Sequence, residues 1–178
     1  MRQIIQEGNP VLREIASPVP KEMFGSKELE NLVAEMAEAL DAEPEGVALA
    51  APQVGVSLRL FIVRRDRTLP PHEPTANGEP VPRAAEVHVY INPEIVKSSR
   101  RRGRTDEGCL SVRGLYGTTT PHENVTVRAQ NIDGSSFTRG AGGLLAQIFE
   151  HEINHLNGIL FIDHAEHVIE LRHRSSDA

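Results

Sequence analysis

Residues 151–155 have the sequence His-Glu-Ile-Asn-His, a spacing that can bind a metal ion. On a helix, positions i and i+4 lie on one face, so the imidazoles of His151 and His155 can reach the same ion. Glu152 lies beside the first imidazole, where a carboxylate can take a proton from an attacking water. A chain of this composition contains such a pattern by chance in roughly four cases of a hundred. A second observation is therefore needed.

Cys109 provides that observation. It is the single cysteine of the chain and lies in residues 107–111, Glu-Gly-Cys-Leu-Ser. Two helical imidazoles lack a third protein ligand, which a thiolate at a glycine-flanked strand end would supply. Three ligands leave one position for water, as in catalytic sites. We therefore predict one divalent metal ion held by Cys109, His151 and His155. The structural alternative is a helix whose histidines only satisfy hydrogen bonds in the core.

Three ordered segments resemble the signature motifs of the peptide deformylases. They are residues 46–53 (Gly-Val-Ala-Leu-Ala-Ala-Pro-Gln), residues 107–111, and residues 147–155 with the two histidines. The likeness extends over about residues 1–165. It implies a metal-dependent hydrolase that removes the formyl group from the N-terminal methionine of newly made polypeptides and releases formate.

The resemblance also implies roles for individual residues. Glu152 would act as general base and then as general acid. Gln53 and the backbone N–H of Leu110 would stabilise the oxyanion. The formyl-methionyl nascent peptide would pair as an added strand along residues 46–49. The residues assigned to substrate binding are Gly46, Val47, Ala48, Gly108 and Ile148, with Leu144 as a further candidate for the methionine pocket. The metal implied in the cell is Fe(II), for which Zn(II), Ni(II) or Co(II) can substitute.

Two positions depart from the family pattern. Ala48 replaces a glycine, which would restrict the backbone if that glycine had a positive φ. Asn154 replaces the acidic residue that usually precedes the second histidine. Loss of a carboxylate that orients a ligand costs about tenfold or more in metal affinity or activity, whereas loss of both partners of an ion pair can be nearly neutral. Residues 120–122, Thr-Pro-His, where relatives often carry an arginine, are compatible with the second case.

Three other functions stay open on sequence alone. They are a divergent amidase acting on another formylated substrate, a catalytically weakened homologue that binds peptides, and a generic HExxH metalloprotease. The intact ligand and acid–base positions argue against the weakened homologue. A cysteine ligand upstream of the helix is not the arrangement of the generic metalloproteases.

The composition is that of an ordinary globular protein. The 178 residues are 39% hydrophobic and 25% charged, which suits a single catalytic domain over residues 1–178. No run of 18 apolar residues and no signal peptide is present, so we expect a cytoplasmic protein without a membrane partner. A net charge of −6 argues against specific nucleic-acid binding. The basic residues 100–104 (Arg-Arg-Arg-Gly-Arg) fit a solvated turn between two strands or a transient ribosome contact.

Hydrophobic periodicity predicts the elements that hold these residues. Ser26 caps a helix predicted over residues 26–41, and a second helix over residues 144–156 carries the histidines and ends at Asn157 and Gly158. Strands are predicted at residues 58–63, 87–91, 94–98 and 125–130, with a turn at residues 92 and 93. The fold class is therefore α+β, with mixed antiparallel strands packed around a buried C-terminal helix.

The remaining segments are predicted to lie at the periphery. Residues 64–86 contain five prolines and fit a surface insertion. A short terminal helix is predicted over residues 164–173, within a C-terminal tail of about residues 166–178. The histidines without a motif are expected at the surface; they are His72, His88, His122, His164, His167 and His173.

Overall fold

A computed structural model of the protein describes residues 2–70, 77 and 83–171. Within these residues there are two α-helices, α1 (Lys27–Asp41) and α2 (Gly143–Leu156). The eight strands are β1 (Ala48–Ala50), β2 (Leu60–Arg64), β3 (Val87–Ser98), β4 (Thr105–Cys109), β5 (Val112–Thr119), β6 (Asn124–Gln130), β7 (Ser136–Gly142) and β8 (Glu166–Glu170). Short 3-10 turns lie at Pro10–Arg13, Lys21–Met23, Ala51–Val54, Arg65–Thr68 and Phe161–Asp163.

The strands form two antiparallel sheets. The larger sheet has the order β1-β2-β3-β6-β7, and the smaller one has the order β4-β5-β8. β1 is therefore an edge strand, paired with β2 on one side only. The α+β fold predicted from the sequence, with antiparallel strands around α2, is confirmed.

The larger sheet is covered by α1 on one face and by α2 on the other. Phe61 and Val63 of β2 pack in the cluster that contains α2, whereas Leu60 and Ile62 pack with α1. A strand buried on both faces has an uninterrupted run of apolar residues, which in β2 is residues 60–63. The ring of Phe149 from α2 packs edge-on against Tyr90, with 4.9 Å between centroids. The helix that carries the histidines is thereby fixed against the sheet.

Both predicted helices are confirmed to within one residue. The hydroxyl of Ser26 accepts the N–H of Leu29 at 3.2 Å and so caps α1. α2 ends at Leu156 with Asn157 as its C-cap, and Gly158 follows with φ +71°, a conformation that glycine adopts without strain.

The turn predicted at residues 92 and 93 is wrong. β3 continues through both residues as one strand with a bulge between Ile91 and Glu94. Asn92 has φ +48° there, which asparagine tolerates better than most residues. Its side chain accepts the N–H of Val19 at 2.8 Å and donates to Gln130 at 3.0 Å. These bonds hold the strand together where the sequence suggested an end. β2 begins at Leu60, two residues later than predicted.

The terminal helix predicted from residue 164 is also wrong for the part that is described. Glu166–Glu170 forms strand β8, in which Ile169 pairs with Tyr116 of β5. The open edge of β5 supplies main-chain partners that no local periodicity reveals. Residues 172 and 173 lie outside the described residues, as do residues 71–76 and 78–82 of the predicted insertion. No helix in the described part of the chain has the length and apolar character needed to span a membrane.

Candidate active site

The three predicted ligands come together where the end of β4 meets α2. The Sγ atom of Cys109 lies 3.3 Å from Nε2 of His155, which lies 3.2 Å from Nε2 of His151. The ligand atoms are all within 4.8 Å of one another. One thiolate and two imidazoles at this spacing form a donor set that suits a tetrahedral divalent ion with one open position.

Glu107 holds His151 from the side away from the other ligands. Its carboxylate accepts from Nδ1 of His151 and also from the hydroxyl of Thr119. Burial by itself would raise the pKa of Glu107, but the hydrogen bonds and charge of His151 and the bond from Thr119 outweigh it and lower the pKa. Because a carboxylate only accepts, Nδ1 carries the proton and Nε2 is left free to bind a metal. Sequence reasoning did not find this role, although Glu107 belongs to the cysteine motif.

The two imidazoles differ in their electrostatics. Burial, reinforced by the nearby His151, lowers the pKa of His155 well below its usual value, which suits a neutral ligand. Burial also opposes protonation of His151, but its contacts with Cys109 and Glu107 prevail and raise its pKa well above the usual value. The surroundings of the two imidazoles therefore favour opposite protonation states.

Glu152 is placed for acid–base chemistry. It is 3% exposed, and its Oε2 atom is buried with no hydrogen-bond partner among the described residues. Burial raises its pKa to about 7, partly opposed by the charge of His151. A carboxyl group that gains and loses a proton near neutral pH can serve both as base and as acid.

Gln53 is held with its amide nitrogen toward the cysteine. It lies in the 3-10 turn after β1, where its Oε1 accepts the N–H of Ala50 at 2.8 Å. Its Nε2 donates to the hydroxyl of Ser111 at 3.1 Å and lies 3.6 Å from Sγ of Cys109. Ser111 is fully buried, and its own N–H approaches that sulfur at 3.4 Å. Ser111 thus orients two site residues, a role that the sequence interpretation did not assign.

An open cleft of about 810 Å³ leads to these residues. Its lining includes Leu110, Glu152 and all five residues predicted to bind substrate, namely Gly46, Val47, Ala48, Gly108 and Ile148. Leu144 also lines the cleft and is 48% exposed, so it does not belong to the core. Ala48 is not among the described residues with positive φ, so alanine imposes no backbone strain there.

Two glycines allow the cleft walls to pack closely. A Cβ atom on Gly46 would lie 2.8 Å from Leu40 and 3.1 Å from Leu110. A Cβ atom on Gly108 would lie 2.8 Å from the ring of Tyr116, its cross-strand partner. A larger residue at either position would therefore force a neighbouring side chain of this chain to shift.

β1 presents an open edge to the cleft. On its inner side, the N–H of Arg64 donates to the carbonyl of Val47 at 2.8 Å. In an antiparallel ladder, the residue next to such a bonded pair directs its main-chain groups to the opposite side. Ala48 therefore presents its N–H and C=O to the side that β2 does not occupy.

The histidine expectations hold only in part. His164 and His167 are exposed as predicted, whereas His72 and His173 lie outside the described residues. His88 is only partly exposed, and its Nε2 lies 2.5 Å from Oε1 of Glu86. His122 is not a free surface residue, because its Nδ1 lies 2.6 Å from Glu150 on α2.

The surroundings of Asn154 explain how its lost charge is accommodated. Asn154 is half-buried and lines a second cavity of about 440 Å³ together with Glu150 and Arg102. His122 pairs with Glu150 on the same helix, and no ion pair to position 154 is present among the described residues.

Comparison with known proteins agrees with this geometry. The family model described as Polypeptide deformylase matches residues 1–170. The peptide deformylase of Dehalococcoides mccartyi (strain CBDB1) is 40% identical over 166 residues, which cover 93% of this chain and 87% of that protein. The peptide deformylase of Chloroflexus aurantiacus is 42% identical over 168 residues, covering 93% and 86%.

Solved structures give the same result. The Met-Ala-Ser-bound class I type b peptide deformylase of Acinetobacter baumannii has a TM-score of 0.77 and 33% identity, covering 91% of this chain and 97% of that one. A peptide deformylase from Legionella pneumophila has a TM-score of 0.77 and 38% identity, covering 94% and 87%. The family model, the similar relatives and the Cys-His-His cluster at the cleft agree. The chain belongs to the polypeptide deformylase family.

Proposed function

We propose that this deformylase works through the site formed by Cys109, His151, His155 and Glu152. The single observation that carries the proposal is the unpartnered carboxyl oxygen of Glu152, buried beside the ligand cluster at the cleft. The substrate is the formyl group on the N-terminal methionine of new polypeptides, and formate is a product. Nothing in the similarities favours another formylated substrate or a weakened peptide-binding homologue.

One divalent ion would be held by Cys109, His151 and His155. When bound, it supplies Lewis-acid activation of water and of the formyl oxygen. We propose Fe(II) as the ion in the cell, with Zn(II), Ni(II) or Co(II) as substitutes, because a mixed thiolate–imidazole set accepts all of these ions. Glu107 would keep His151 in the tautomer that such binding requires.

The protein's own groups would carry the proton and the developing charge. The carboxylate of Glu152 accepts a proton from the attacking water as the water oxygen bonds to the formyl carbon. The same group then donates the proton to the methionine nitrogen as the C–N bond breaks, which releases formate and a free amine. The amide of Gln53 and the N–H of Leu110 donate to the oxyanion formed between these two steps.

The peptide would bind along the open edge of β1 as an added strand. Ala48 offers main-chain groups there, and Val47, Ile148 and Leu144 line the cleft where the methionine side chain would lie. The relative from Acinetobacter baumannii was solved with Met-Ala-Ser bound. Because Met-Ala-Ser has the form of a deformylated product, that structure supports binding of an extended peptide in the corresponding cleft of this chain.

We place the enzyme in the cytoplasm, where it would meet nascent chains. Residues 100–104 form the loop between β3 and β4, as the sequence predicted, and their four arginines are exposed. Arg104 is paired with Glu166 at 3.2 Å, and Arg102 donates to the carbonyl of Thr120. Arg100 and Arg101 are the side chains that we assign to a transient ribosome contact.

The test is a formate-release assay on formyl-Met-Ala-Ser with Fe(II)-loaded protein prepared without oxygen. The matched variant is Glu152→Gln, which fills the same volume but cannot shuttle a proton. We expect it to bind metal normally and to lose about 10²–10⁴-fold in rate. A wild-type protein that releases no formate, or an equally active variant, would overturn the proposal.

A further inference from the structure

The loop between α1 and β1, residues 42–47, sets the position of the proposed substrate strand. It begins at the carboxyl end of α1, where helix carbonyls lack partners within the helix. The last turn of α1 contains no basic residue that could compensate the negative end of its dipole. The cations at this end of the cleft come from elsewhere in the fold, and one of them, Arg64, pairs with the side chain of Asp41.

Arg67 is the cation that contacts the backbone carbonyls of this loop. Its Nη1 atom donates toward three carbonyl oxygens, those of Leu40 at 3.3 Å, Glu43 at 2.9 Å and Gly46 at 2.7 Å. The side chain is 21% exposed, and Nη2 lies 3.5 Å from the carboxylate of Asp41. One guanidinium thus joins the last turn of α1 to both ends of the tight turn that precedes β1.

Arg67 is itself held firmly. It lies in the 3-10 turn Arg65–Thr68, at the start of the predicted insertion. Asp66 of this turn accepts two bonds from Arg64, at 2.9 and 3.0 Å, and also accepts the N–H of Glu86 at 3.0 Å. Hydrogen bonds therefore join the two ends of the insertion, residues 66 and 86. They hold the turn that carries Arg67 next to the loop of residues 42–47.

The loop that Arg67 holds reaches directly into the cleft. Gly46 lies so close to Leu110 that a Cβ atom would be 3.1 Å from the leucine Cδ1. Two residues later, Ala48 presents its main-chain groups at the open edge of the sheet. A displacement of the loop therefore moves the strand edge relative to Leu110. Arg113, across the cleft, adds a bidentate ion pair to Glu43 at 2.5 and 3.2 Å.

We propose that Arg67 is a positioning residue for the peptide substrate, acting through the carbonyls of residues 40, 43 and 46 to fix the edge of β1. The inference rests on the proposed pairing of the peptide with β1. The first turn of the predicted surface insertion thereby gains a role in substrate binding. Arg67 makes no contact with reacting atoms in this arrangement, so its loss should weaken peptide binding more than chemistry.

The first experiment compares Arg67→Met with Arg65→Met, which removes a cation two residues away on the same turn. The Arg65 guanidinium donates to Thr68 and not to the loop. We expect Arg67→Met to raise KM for formyl-Met-Ala-Ser by about tenfold or more while kcat stays within about threefold. Arg65→Met should leave both constants near those of the wild type.

A conservative variant separates positioning from a general loss of stability. The ammonium of Arg67→Lys has three N–H donors for three carbonyls, so it should restore KM to within about threefold of the wild-type value. If Arg67→Met does not fold, Arg67→Gln takes its place with the same expected division between KM and kcat, because its shorter and neutral side chain cannot reach the three carbonyls. Circular dichroism and metal content establish that each variant is folded and loaded.

Substrate length provides the decisive readout. Formyl-methionine amide lacks the residues that extend the proposed pairing with β1 beyond the methionine, so its kcat/KM should fall less in Arg67→Met than that of formyl-Met-Ala-Ser. Equal losses on both substrates, a fall in kcat alone, or no change would each overturn the role of Arg67. A wild-type protein inactive on both formyl substrates would instead overturn the proposed function, so the two failures are distinguishable.

Discussion

Glu107 and His151 form a hydrogen bond between β4 and α2, on the side of the imidazole away from Cys109. Glu107 is 9% exposed and accepts a second bond from Thr119. The strand that supplies the thiolate thus also orients one of the two helical ligands. This coupling makes the metal site depend on the docking of the smaller sheet against α2.

Replacing Glu107 should therefore weaken the metal site without removing a ligand. For Glu107→Gln we expect metal affinity to fall by about 10–100-fold, because the amide can donate as well as accept and no longer fixes the tautomer of His151. Competition with a chelator measures the affinity. The matched control is Asp106→Asn, at the exposed neighbouring position on β4. Unchanged affinity in Glu107→Gln would contradict the orienting role.

Replacing the thiolate should have a larger effect. In Cys109→Ser a neutral hydroxyl takes the place of an anionic soft ligand, and we expect tight binding of one metal per chain to be lost. Elemental analysis after gel filtration reports the occupancy. The control is Ser111→Ala, which removes a hydroxyl from the same turn and leaves all three ligands. Full occupancy in Cys109→Ser would show that the ligand set is different.

Restoring the acidic residue at position 154 should change little. Asn154 shares its cavity with Glu107, Glu150 and Asp163, whereas Arg102 is already bonded to a carbonyl. We expect Asn154→Asp to alter turnover by less than about threefold. Because Glu150 lies four residues earlier on α2, the like charges should cost about 0.2–0.5 kcal/mol of stability.

The double variant His122→Arg with Asn154→Asp tests this explanation. It adds a guanidinium at position 122, beside Glu150 on α2, so it should recover the stability that Asn154→Asp loses. Urea unfolding and formyl-peptide turnover are measured side by side. A tenfold rise in metal affinity and turnover in Asn154→Asp alone would mean that the asparagine weakens the natural enzyme.

Ionisation of Asp66 should make the free energy of unfolding depend on pH in the acidic range. The hydrogen bond from Arg64 lowers its pKa from 3.8 to about 2, and its side chain is only 9% exposed. Because the folded-state pKa lies below the unfolded one, the stabilisation is complete above about pH 4 and disappears as the pH falls through 2. The shift corresponds to about 2 kcal/mol.

The measurement is the free energy of unfolding by urea between pH 6 and pH 3. We expect wild-type stability to decline by about 1 kcal/mol more than that of Asp66→Asn over this interval. Asp106→Asn, at an exposed carboxylate on β4, should keep the wild-type slope. Parallel curves for the wild type and Asp66→Asn would show that the Arg64 pairing carries no such linkage.

The sequence by itself predicted the candidate metal ligands, and the fold brings them together. The spacing of His151 and His155 is a property of any α-helix, and the apolar period of α2 was visible without a fold. Cys109 was identifiable because the chain contains no other cysteine. The cap at Ser26 and the ends of both helices also follow from local rules, since each depends on residues within one turn.

Tertiary structure decided the features that depend on distant partners. Glu107, Ser111 and Arg67 acquire their roles from residues that are 44, 58 and 21–27 positions away along the chain. β8 forms because β5 has an open edge, and β3 continues through Asn92 because Val19 and Gln130 bind its side chain. Hydrogen bonds of this kind connect segments whose local sequences carry no common period, so only the folded chain reveals them.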